Sequence, residues 1–320
     1  MKFRTSVPIL EQENKIDHTS KILLLGSCFV ENIGQKLDYY QFQNLRNPFG
    51  IFYHPEAIEN FIEKVATGFN YKEKDVFFYN EQWHCFDAHS SLNSSIKEEL
   101  LFQLNEGLKN ARSYIEETTH IVITLGTSWL YKEEKSGRSV ANCHKLEQKH
   151  FTKELLSVNQ IEDVLNKTFQ HLLTINPNIK VIFTVSPVRH LKDGFVENQQ
   201  SKAHLISGVH QFLGSQKNRV DDYCFYFPAY EIMMDDLRDY RFYNEDMIHP
   251  NSIAIDYIWS RFTDAWMAIS AIQLFKSIEN IHKGLGHRPF NISSENHQSF
   301  LRKLQEKIRS LKVKIPGAKF

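Results

Sequence analysis

The sequence contains little cysteine and no excess of charge of either sign. Only four cysteines occur among 320 residues, and none forms a Cys-x-x-Cys pair. This scarcity argues against a disulfide framework or a structural zinc site and fits a reducing, cytoplasmic setting. Lys and Arg together number 38, as do Asp and Glu, so the formal net charge is zero. Nothing in this balance indicates a nucleic-acid partner or a membrane surface.

Long apolar runs and glycine-rich loops are also missing. No stretch reaches the roughly 18 apolar residues of a membrane span. The N-terminal segment lacks the apolar core of a signal peptide. No Gly-x-Gly-x-x-Gly follows an apolar run, and no P-loop motif occurs, which argues against the usual nucleotide-binding loops. We therefore expect a small-molecule substrate and no cofactor.

Two clusters of His and Cys raise the question of a metal site. They lie in residues 83–90, WHCFDAHS, and in residues 141–145, ANCHK. Their spacings match no standard site, and strand alternation would direct neighbouring side chains to opposite faces. We therefore expect no metal, and we expect His144 to line a substrate pocket instead.

Short apolar runs alternate with amphipathic segments along the chain. The runs cover residues 21–25, 120–125 and 180–185, with weaker ones at 40–46 and 223–228. Helical patterns cover residues 94–117, 157–176 and 251–272. Continuous apolar strands that alternate with helices predict an α/β fold, with a doubly wound, mostly parallel sheet and helices on both faces.

Two further segments read as hairpins inserted into this pattern. Residues 75–89 have a turn signal at Asn80-Glu81, and residues 129–143 have one at Ser136-Gly137. From residue 284 onward the sequence is polar and then basic with a helical pattern. We therefore divide the chain into an α/β domain over residues 1–283 and a helical extension over residues 284–320.

The chemistry of such a sheet is expected at the carboxyl ends of its strands. Gly26, Ser27 and Cys28 follow the first run, where a strand turns into a helix. Ser27 is either a helix cap or a nucleophile that the helix amides support. Asp246 and His249 form an Asp-x-x-His pair just before the last long helical pattern. A carboxylate that orients a histidine base is what a serine nucleophile requires.

Several ordered stretches together resemble the GSCFA family. The stretch LGSCFVENIG carries the family's signature, with Val30 where the family name has alanine. Further stretches that resemble the family are NPFGIFYHP (47–55), TLGTSWLY (124–131), ANCHK (141–145), SPVRHLKDGFVENQQSKAHL (186–205) and DMIHPN (246–251).

That family in turn is similar to the SGNH or GDSL-type hydrolases. The resemblance implies a flavodoxin-like three-layer α/β sandwich and an esterase or deacetylase acting on an acyl ester of a carbohydrate or other small polar molecule. It implies Ser27 as nucleophile, His249 as base and Asp246 as the carboxylate that orients the base. It also implies that Gly50 donates its amide to the oxyanion, and that Gly126 matches the glycine of the third hydrolase block.

The sequence departs from the hydrolase pattern at one position. Ser128 stands where these enzymes carry an asparagine that helps to hold the oxyanion. Loss of one oxyanion donor lowers the rate by about two to three orders of magnitude in other hydrolases. Ser128 itself, Asn142 or Asn47 would have to replace the missing donor.

Two alternatives remain open from the sequence. Cys28 also lies at the expected helix N-terminus, where a thiolate is stabilised, and it could replace Ser27 as the nucleophile. A protein that keeps the fold but only binds its ligand, with weak or no catalysis, is the alternative to an enzyme.

Overall fold

A five-stranded parallel sheet forms the centre of the protein. The structure, a computed structural model, describes residues 5–215 and 223–320. The strands of the whole structure, in chain order, are β1 (Lys21–Gly26), β2 (Gln43–Arg46), β3 (Phe77–Tyr79), β4 (Gln82–His84), β5 (His120–Leu125), β6 (Trp129–Glu133), β7 (Ser139–Val140), β8 (Phe151–Leu155), β9 (Lys180–Val185) and β10 (Cys224–Tyr226). The central sheet has the order β10-β9-β5-β1-β2, with every neighbouring pair parallel. The strand order reverses beside β1, which places a topological switch point between β1 and β5.

Helices cover both faces of this sheet. They are α1 (Phe29–Tyr39), α2 (Pro55–Thr67), α3 (Lys97–Glu117), α4 (Val158–Ile175), α5 (Phe195–Ser215), α6 (Ala229–Glu231, continued by a π-helix over Ile232–Asp236), α7 (Ser252–Trp266), α8 (Ile269–Leu285) and α9 (Glu295–Lys314). In the described ranges, no helix is both long and apolar enough to cross a membrane.

The apolar strands are continuous because both faces of the sheet are buried. Leu23 and Leu25 of β1 pack into a core shared with α2, α3, α4 and α5. Ile22 and Leu24 pack on the opposite face into a core shared with α1 and α7. The predicted doubly wound α/β sandwich is therefore confirmed.

Both hairpin insertions are present as predicted. Strands β3 and β4 pair across Asn80 and Glu81, whose φ angles are 47° and 63°. Strands β6 and β7 pair across a turn that contains Gly137, whose φ is 66°. A third strand, β8, pairs with β6 and enlarges this insertion.

The helices differ from the sequence prediction in several places, and neither α2 nor α6 was predicted. The helix expected over residues 251–272 is two helices, because Met267 is extended and pairs with Ile16. Helix α5 was not predicted. Its buried face contains Asn198, Ser201 and Lys202, and these polar residues interrupt the hydrophobic period that indicates a helix.

The C-terminal helices form a small core of their own. Ile278 and Ile281 of α8 pack against Leu304, Ile308 and Leu311 of α9. The proposed boundary between residues 283 and 284 falls within the last turn of α8. The division into two domains stays a prediction.

Candidate active site

The first part of the site is the turn that ends β1. Gly26 has a φ of +128°, and a methyl group on it would overlap the carbonyl group of Thr124. Glycine meets both demands because it has no Cβ. The Gly26 amide donates to Asn47 Oδ1 at 2.9 Å, and the Ser27 amide donates to the Thr124 carbonyl at 3.0 Å. Cys28 follows as the N-cap of α1, so the turn places Ser27 and Cys28 at the carboxyl edge of the sheet.

The second part of the site is the loop that carries Asp246 and His249. Asp246 Oδ1 accepts hydrogen bonds from the amides of His249 at 3.0 Å and Ile248 at 2.9 Å. These two amides hold the pKa of Asp246 well below its usual range, at about 2. The second carboxylate oxygen, Oδ2, lies 2.7 Å from His249 Nδ1. A charged carboxylate at this distance keeps the proton of a neutral imidazole on Nδ1, so that Nε2 is free to accept.

The ring of His249 meets Cys28 rather than Ser27. His249 Nε2 lies 3.8 Å from Cys28 Sγ. Ser27 is fully buried, and its Oγ has no hydrogen-bond partner among the described residues. The expected hydrogen bond between Ser27 and His249 is therefore not formed, because the turn directs Ser27 inward and leaves Cys28 facing the histidine. The structure brings together Cys28, His249 and Asp246, the second of the two possibilities that the sequence left open.

The Cys28 thiol is in an environment with opposing effects. Burial raises the pKa of the thiol, whereas the charge of Lys202 and the amides of Cys28 and Phe29 lower it, and the net direction is upward. The thiol is therefore protonated at neutral pH and needs a base to become a nucleophile. His249 Nε2 is in position to be that base.

Three of the expected oxyanion groups have structural roles instead. The Gly50 amide donates to the Asn47 carbonyl at 2.7 Å, and the Gly126 amide donates to the Tyr53 carbonyl at 2.9 Å. The Asn47 side chain accepts from Gly26 and donates to Glu31 at 3.2 Å. These hydrogen bonds stabilise the turn around Cys28. Gly126 does lie at the site, because a methyl group on it would be 3.2 Å from Ser27 Cβ.

The remaining predicted site residues point elsewhere. The Ser128 amide donates to Ser201 Oγ at 2.8 Å and its hydroxyl donates to the Ser201 carbonyl at 3.1 Å. Asn142 Oδ1 accepts from the His144 amide at 2.8 Å. The ring nitrogens of His144 lie 2.8 Å from the Cys85 carbonyl and 3.2 Å from Ser90 Oγ. In the described ranges, neither Ser128 nor His144 has a hydrogen bond to Cys28, Asp246 or His249. Ser128 is bound to Ser201 at the end of β5, and His144 is bound to Cys85 and Ser90.

Two residues at the site were given no role from the sequence, although they lie in a stretch that it singled out. His190 Nε2 is buried and has no partner among the described residues, and it would lie 3.2 Å from a methyl group on Gly126. Burial, the charge of Lys202 and that of His249 lower the pKa of His190 to about 3. Lys202 is fully buried beneath the same glycine. Their signal in the sequence is the stretch 186–205, which follows β9 and contains both.

The amides at the start of α1 are the remaining donors near the thiol. Within the described residues, the amides of Cys28 and Phe29 have no backbone acceptor. Both act on Sγ, since both lower the pKa of the thiol. A helix N-terminus also favours negative charge through its dipole. An anion that forms next to Cys28 would therefore meet two donors.

An open groove of about 530 Å³ adjoins His249 between α1 and the start of α7. Its lining includes the uncharged polar residues Asn32, Gln35, Tyr39, Asn244 and Ser252, together with the apolar residues Pro250 and Ile255. Its two charged residues, Lys36 and Asp256, form an ion pair with each other. Asn32, Gln35 and Tyr39 follow Cys28 at four, seven and eleven residues along α1, which is the spacing of one helix face. The groove therefore begins near the thiol and runs along α1.

Metal-binding residues do not converge at this site. Across residues 5–215 and 223–320, no three or more His, Cys, Asp or Glu side chains are grouped so that they could hold a metal ion. The two His- and Cys-containing segments, residues 83–90 and 141–145, pack their histidine rings together instead, with the ring centroids of His84 and His144 4.7 Å apart.

The fold and the site together define a three-layer α/β protein with Cys, His and Asp at the carboxyl edge of its sheet. The chain belongs to the GSCFA family: the model of that family matches residues 21–262, and the model of the C-terminal domain of GSCFA domain proteins matches residues 278–320. The first match contains Cys28, Asp246 and His249. Among curated proteins, none matches the sequence.

Several solved structures are similar to the chain at low identity. One is an acetyl esterase with a serine-to-alanine substitution and an acetate ion, at 9% identity and a TM-score of 0.37, covering 82% of this chain and 99% of that chain. Another is a carbohydrate esterase family 3 protein from Talaromyces cellulolyticus, at 10% identity and a TM-score of 0.35, covering 82% of this chain and 99% of that chain. A third is an acetyl xylan esterase from the rumen bacterium Butyrivibrio proteoclasticus, at 11% identity and a TM-score of 0.31, covering 87% of this chain and 66% of that chain.

Proposed function

We propose that this protein is an acyl hydrolase in which Cys28 is the nucleophile, His249 the base and Asp246 the orienting carboxylate. The observation that carries the proposal is the chain of contacts from Sγ to Nε2 at 3.8 Å and from Nδ1 to the carboxylate at 2.7 Å. A nucleophile, a base and a third group that orients the base are the elements of acyl transfer in unrelated folds. The resemblance of the motifs to the SGNH hydrolases supports an ester as the substrate.

The reaction proceeds through a thioester on Cys28. His249 Nε2 takes the thiol proton as Sγ attacks the acyl carbonyl carbon, and the carbonyl oxygen becomes an oxyanion next to the amides of Cys28 and Phe29. When the intermediate collapses, the bond to the alcohol oxygen breaks and His249 returns the proton to that oxygen. A water molecule, deprotonated by His249, then attacks the thioester. The carboxylic acid leaves, and the thiol regains its proton.

The raised pKa of the thiol determines how His249 acts. Because the resting thiol is protonated, the proton moves to His249 during the attack, as it does in serine enzymes, rather than beforehand in a stable ion pair. The negative charge of Asp246 stabilises the imidazolium that results. A pKa of about 2 for Asp246 keeps this charge present throughout the neutral range.

The groove along α1 is the proposed site for the alcohol part of the substrate. Its amide, hydroxyl and phenol groups suit a neutral partner with several hydroxyl groups, such as a sugar or another small polyol. The ion pair of Lys36 with Asp256 neutralises the charge in the groove, so no unbalanced charge attracts an anionic substrate. We propose such a molecule, acylated on a hydroxyl, as the substrate.

The proposed setting is cytoplasmic. In the structure, all four cysteines are free, and a reducing compartment would keep the Cys28 thiol available for chemistry.

Turnover of a panel of small acyl esters, followed by intact-mass analysis, tests the proposal. The parent should release the acid and should carry a transient acyl group on a Cys28 peptide. Cys28→Ala should lose nearly all turnover, whereas Cys143→Ser, the matched control at another half-buried cysteine, should keep it.

Two other outcomes would reject the proposed mechanism. If Ser27→Ala abolishes turnover and Cys28→Ala retains it within about tenfold, the protein is a serine enzyme, as the sequence resemblance implied. If no ester of the panel is turned over, while a polyol or its ester binds to the parent in calorimetry, the protein is a binding protein.

A further inference from the structure

Helix α5 holds the strand ends of the site through three polar residues of its buried face. Asn198 Oδ1 accepts from the His190 amide at 2.9 Å. Ser201 Oγ accepts from the Ser128 amide at 2.8 Å. Lys202 Nζ donates to the carbonyl groups of Gly126 at 2.7 Å and Ser186 at 2.8 Å. The three residues therefore connect helix α5 to the loop that follows β5 and to the loop that follows β9.

Lys202 is unusual among these three because it is an ionisable group without exposed surface. Its relative exposure is 0%, and it forms no ion pair with a carboxylate of the described residues. A buried ammonium is costly unless it serves a purpose, and carbonyl dipoles offset only part of the cost. Asn198 and Ser201 already connect the same loops without a charge. A connecting role alone therefore does not account for the cation.

The position of Lys202 relates it to the nucleophile. Its Nζ binds the carbonyl of Gly126, the residue that packs against Ser27 at the start of α1. Its charge acts on the Cys28 thiol and on the His190 ring, lowering the pKa of each. The phenol ring of Tyr230 lies on another side, with its centroid 5.7 Å from Nζ. Lys202 is thus a positive charge placed behind the strand ends, out of reach of the substrate.

We propose that Lys202 is a positioning residue whose buried positive charge stabilises the thiolate of Cys28, while its two hydrogen bonds fix the strand ends of β5 and β9. The proposal rests on the proposed function, since it assigns Lys202 a role in activating that thiol. The other titratable groups around the thiol are Glu31 on α1, Tyr53 after β2, His190 after β9 and His249 on its loop. Among these, Glu31 opposes the thiolate with a negative charge.

The charge of Lys202 depends on pH within the working range. Burial lowers the pKa of Lys202 to about 7, and a negative charge on Cys28 raises it. The ammonium is present below that pKa and is lost above it. Loss of the proton from Lys202 therefore makes the thiolate harder to form, and formation of the thiolate makes Lys202 hold its proton more firmly. The two groups favour each other's charged form, as linkage requires.

Alkylation of the full-length protein with iodoacetamide tests this coupling without any substrate. The rate of modification of the Cys28 peptide is followed by mass spectrometry as a function of pH for the parent, Lys202→Met, Lys202→Arg and Ser201→Ala. Near and below pH 7, where Lys202 is charged in the parent, Lys202→Met should be modified about tenfold more slowly, and the two profiles should converge at higher pH, where the parent has lost this charge. Lys202→Arg, which keeps the charge at every pH, should be modified at least as fast as the parent throughout. Ser201→Ala, which removes only a connecting hydrogen bond, should follow the profile of the parent.

A second measurement avoids the risk that Lys202→Met does not fold. The Lys202 amine is titrated by NMR in Cys28→Asp and Cys28→Asn, which differ by one negative charge at the position of the thiol, with Lys202→Arg used to assign its signal. The carboxylate introduced by Cys28→Asp should raise the midpoint of Lys202 above its value in Cys28→Asn, because it places beside Lys202 the negative charge that the thiolate would carry. Equal midpoints in both proteins, or an unchanged alkylation profile in a folded Lys202→Met protein, would overturn the proposal. Failure of the parent to turn over any ester, with both effects present, would instead reject the proposed function and leave the coupling intact.

Discussion

Replacement of Asp246 by Asn reverses one hydrogen bond of the site and leaves its neighbours in place. The amide oxygen of Asn can still accept from the amides of Ile248 and His249, which lie 2.9 and 3.0 Å from Asp246 Oδ1. The amide nitrogen replaces the oxygen that lies 2.7 Å from His249 Nδ1. An NH₂ group there must donate to Nδ1, so the ring proton moves to Nε2. A protonated Nε2 cannot accept the proton of the Cys28 thiol.

The size of the effect follows from this tautomer change. In a serine enzyme with the same arrangement, the corresponding substitution lowers kcat about 10⁴-fold. Two features reduce the effect here. A thiol gives up its proton more readily than a hydroxyl group, and the side chains of His249 and Asp246 are 45% and 46% exposed, so water can compete for the ring. We therefore expect kcat to fall about 10²- to 10³-fold with little change in KM.

The assay is a pH–rate profile of one activated ester for the parent, Asp246→Asn and the control Glu245→Gln, with a thermal midpoint for each protein. Glu245 is an exposed neighbouring carboxylate, so its substitution controls for the loss of a negative charge near the loop. Since the pKa of Asp246 is about 2, no part of the profile of the parent above about pH 4 should report on this carboxylate. A folded Asp246→Asn protein with kcat within threefold of Glu245→Gln would refute the assigned role of Asp246.

Three further predictions concern the turn, the groove and the acid stability. Gly26→Ala should destabilise the protein severely in a urea titration, by about 3 kcal/mol or more, because the new methyl group overlaps the Thr124 carbonyl. Gly68→Ala, at a φ of +67° with open space around it, should cost only about 1 kcal/mol. Gln35→Ala should raise KM for a polyol ester several-fold and leave kcat within twofold, because Gln35 lines the groove without touching the thiol; an unchanged KM would place the substrate elsewhere. Burial lowers the pKa of His120 and of His144 to about 4, so the unfolded chain takes up protons first. Stability should therefore fall as the pH drops from about 6.5 toward 4, and a urea midpoint equal at pH 7 and pH 5 would contradict this.

The sequence was sufficient for the sheet and for the edge on which the site lies. The runs at 21–25, 120–125 and 180–185 became β1, β5 and β9, because a strand buried on both faces must be apolar at every position. The weaker run at 40–46 became a strand only from Gln43 onward, since Tyr40 ends α1 and Gln41 takes a left-handed φ of 66°. Local pattern therefore located the elements, and neighbouring turns determined where they begin.

Helix α5 shows where pattern reading fails. Its first half carries polar residues at the positions that face the core, so its apolar stripe begins only at Leu205 and marks only the second half of the helix. These polar residues are buried because each has a hydrogen-bond partner at a strand end that is far away in sequence, such as the Gly126 carbonyl for Lys202. Buried polar groups with long-range partners leave no periodic signal in a single sequence.

The nature of the site was determined in two stages. By itself, the sequence determined that a strand would end at Gly26 and deliver a serine and a cysteine to a helix start, and that an Asp-x-x-His loop would lie at the same edge. Which of the two side chains meets the histidine depends on the direction of each Cα–Cβ bond in one tight turn, and neighbouring residues there point in different directions. The tertiary structure alone decided this, because the close contact of Gly26 with Thr124 fixes the turn, buries Ser27 and places Cys28 Sγ 3.8 Å from His249.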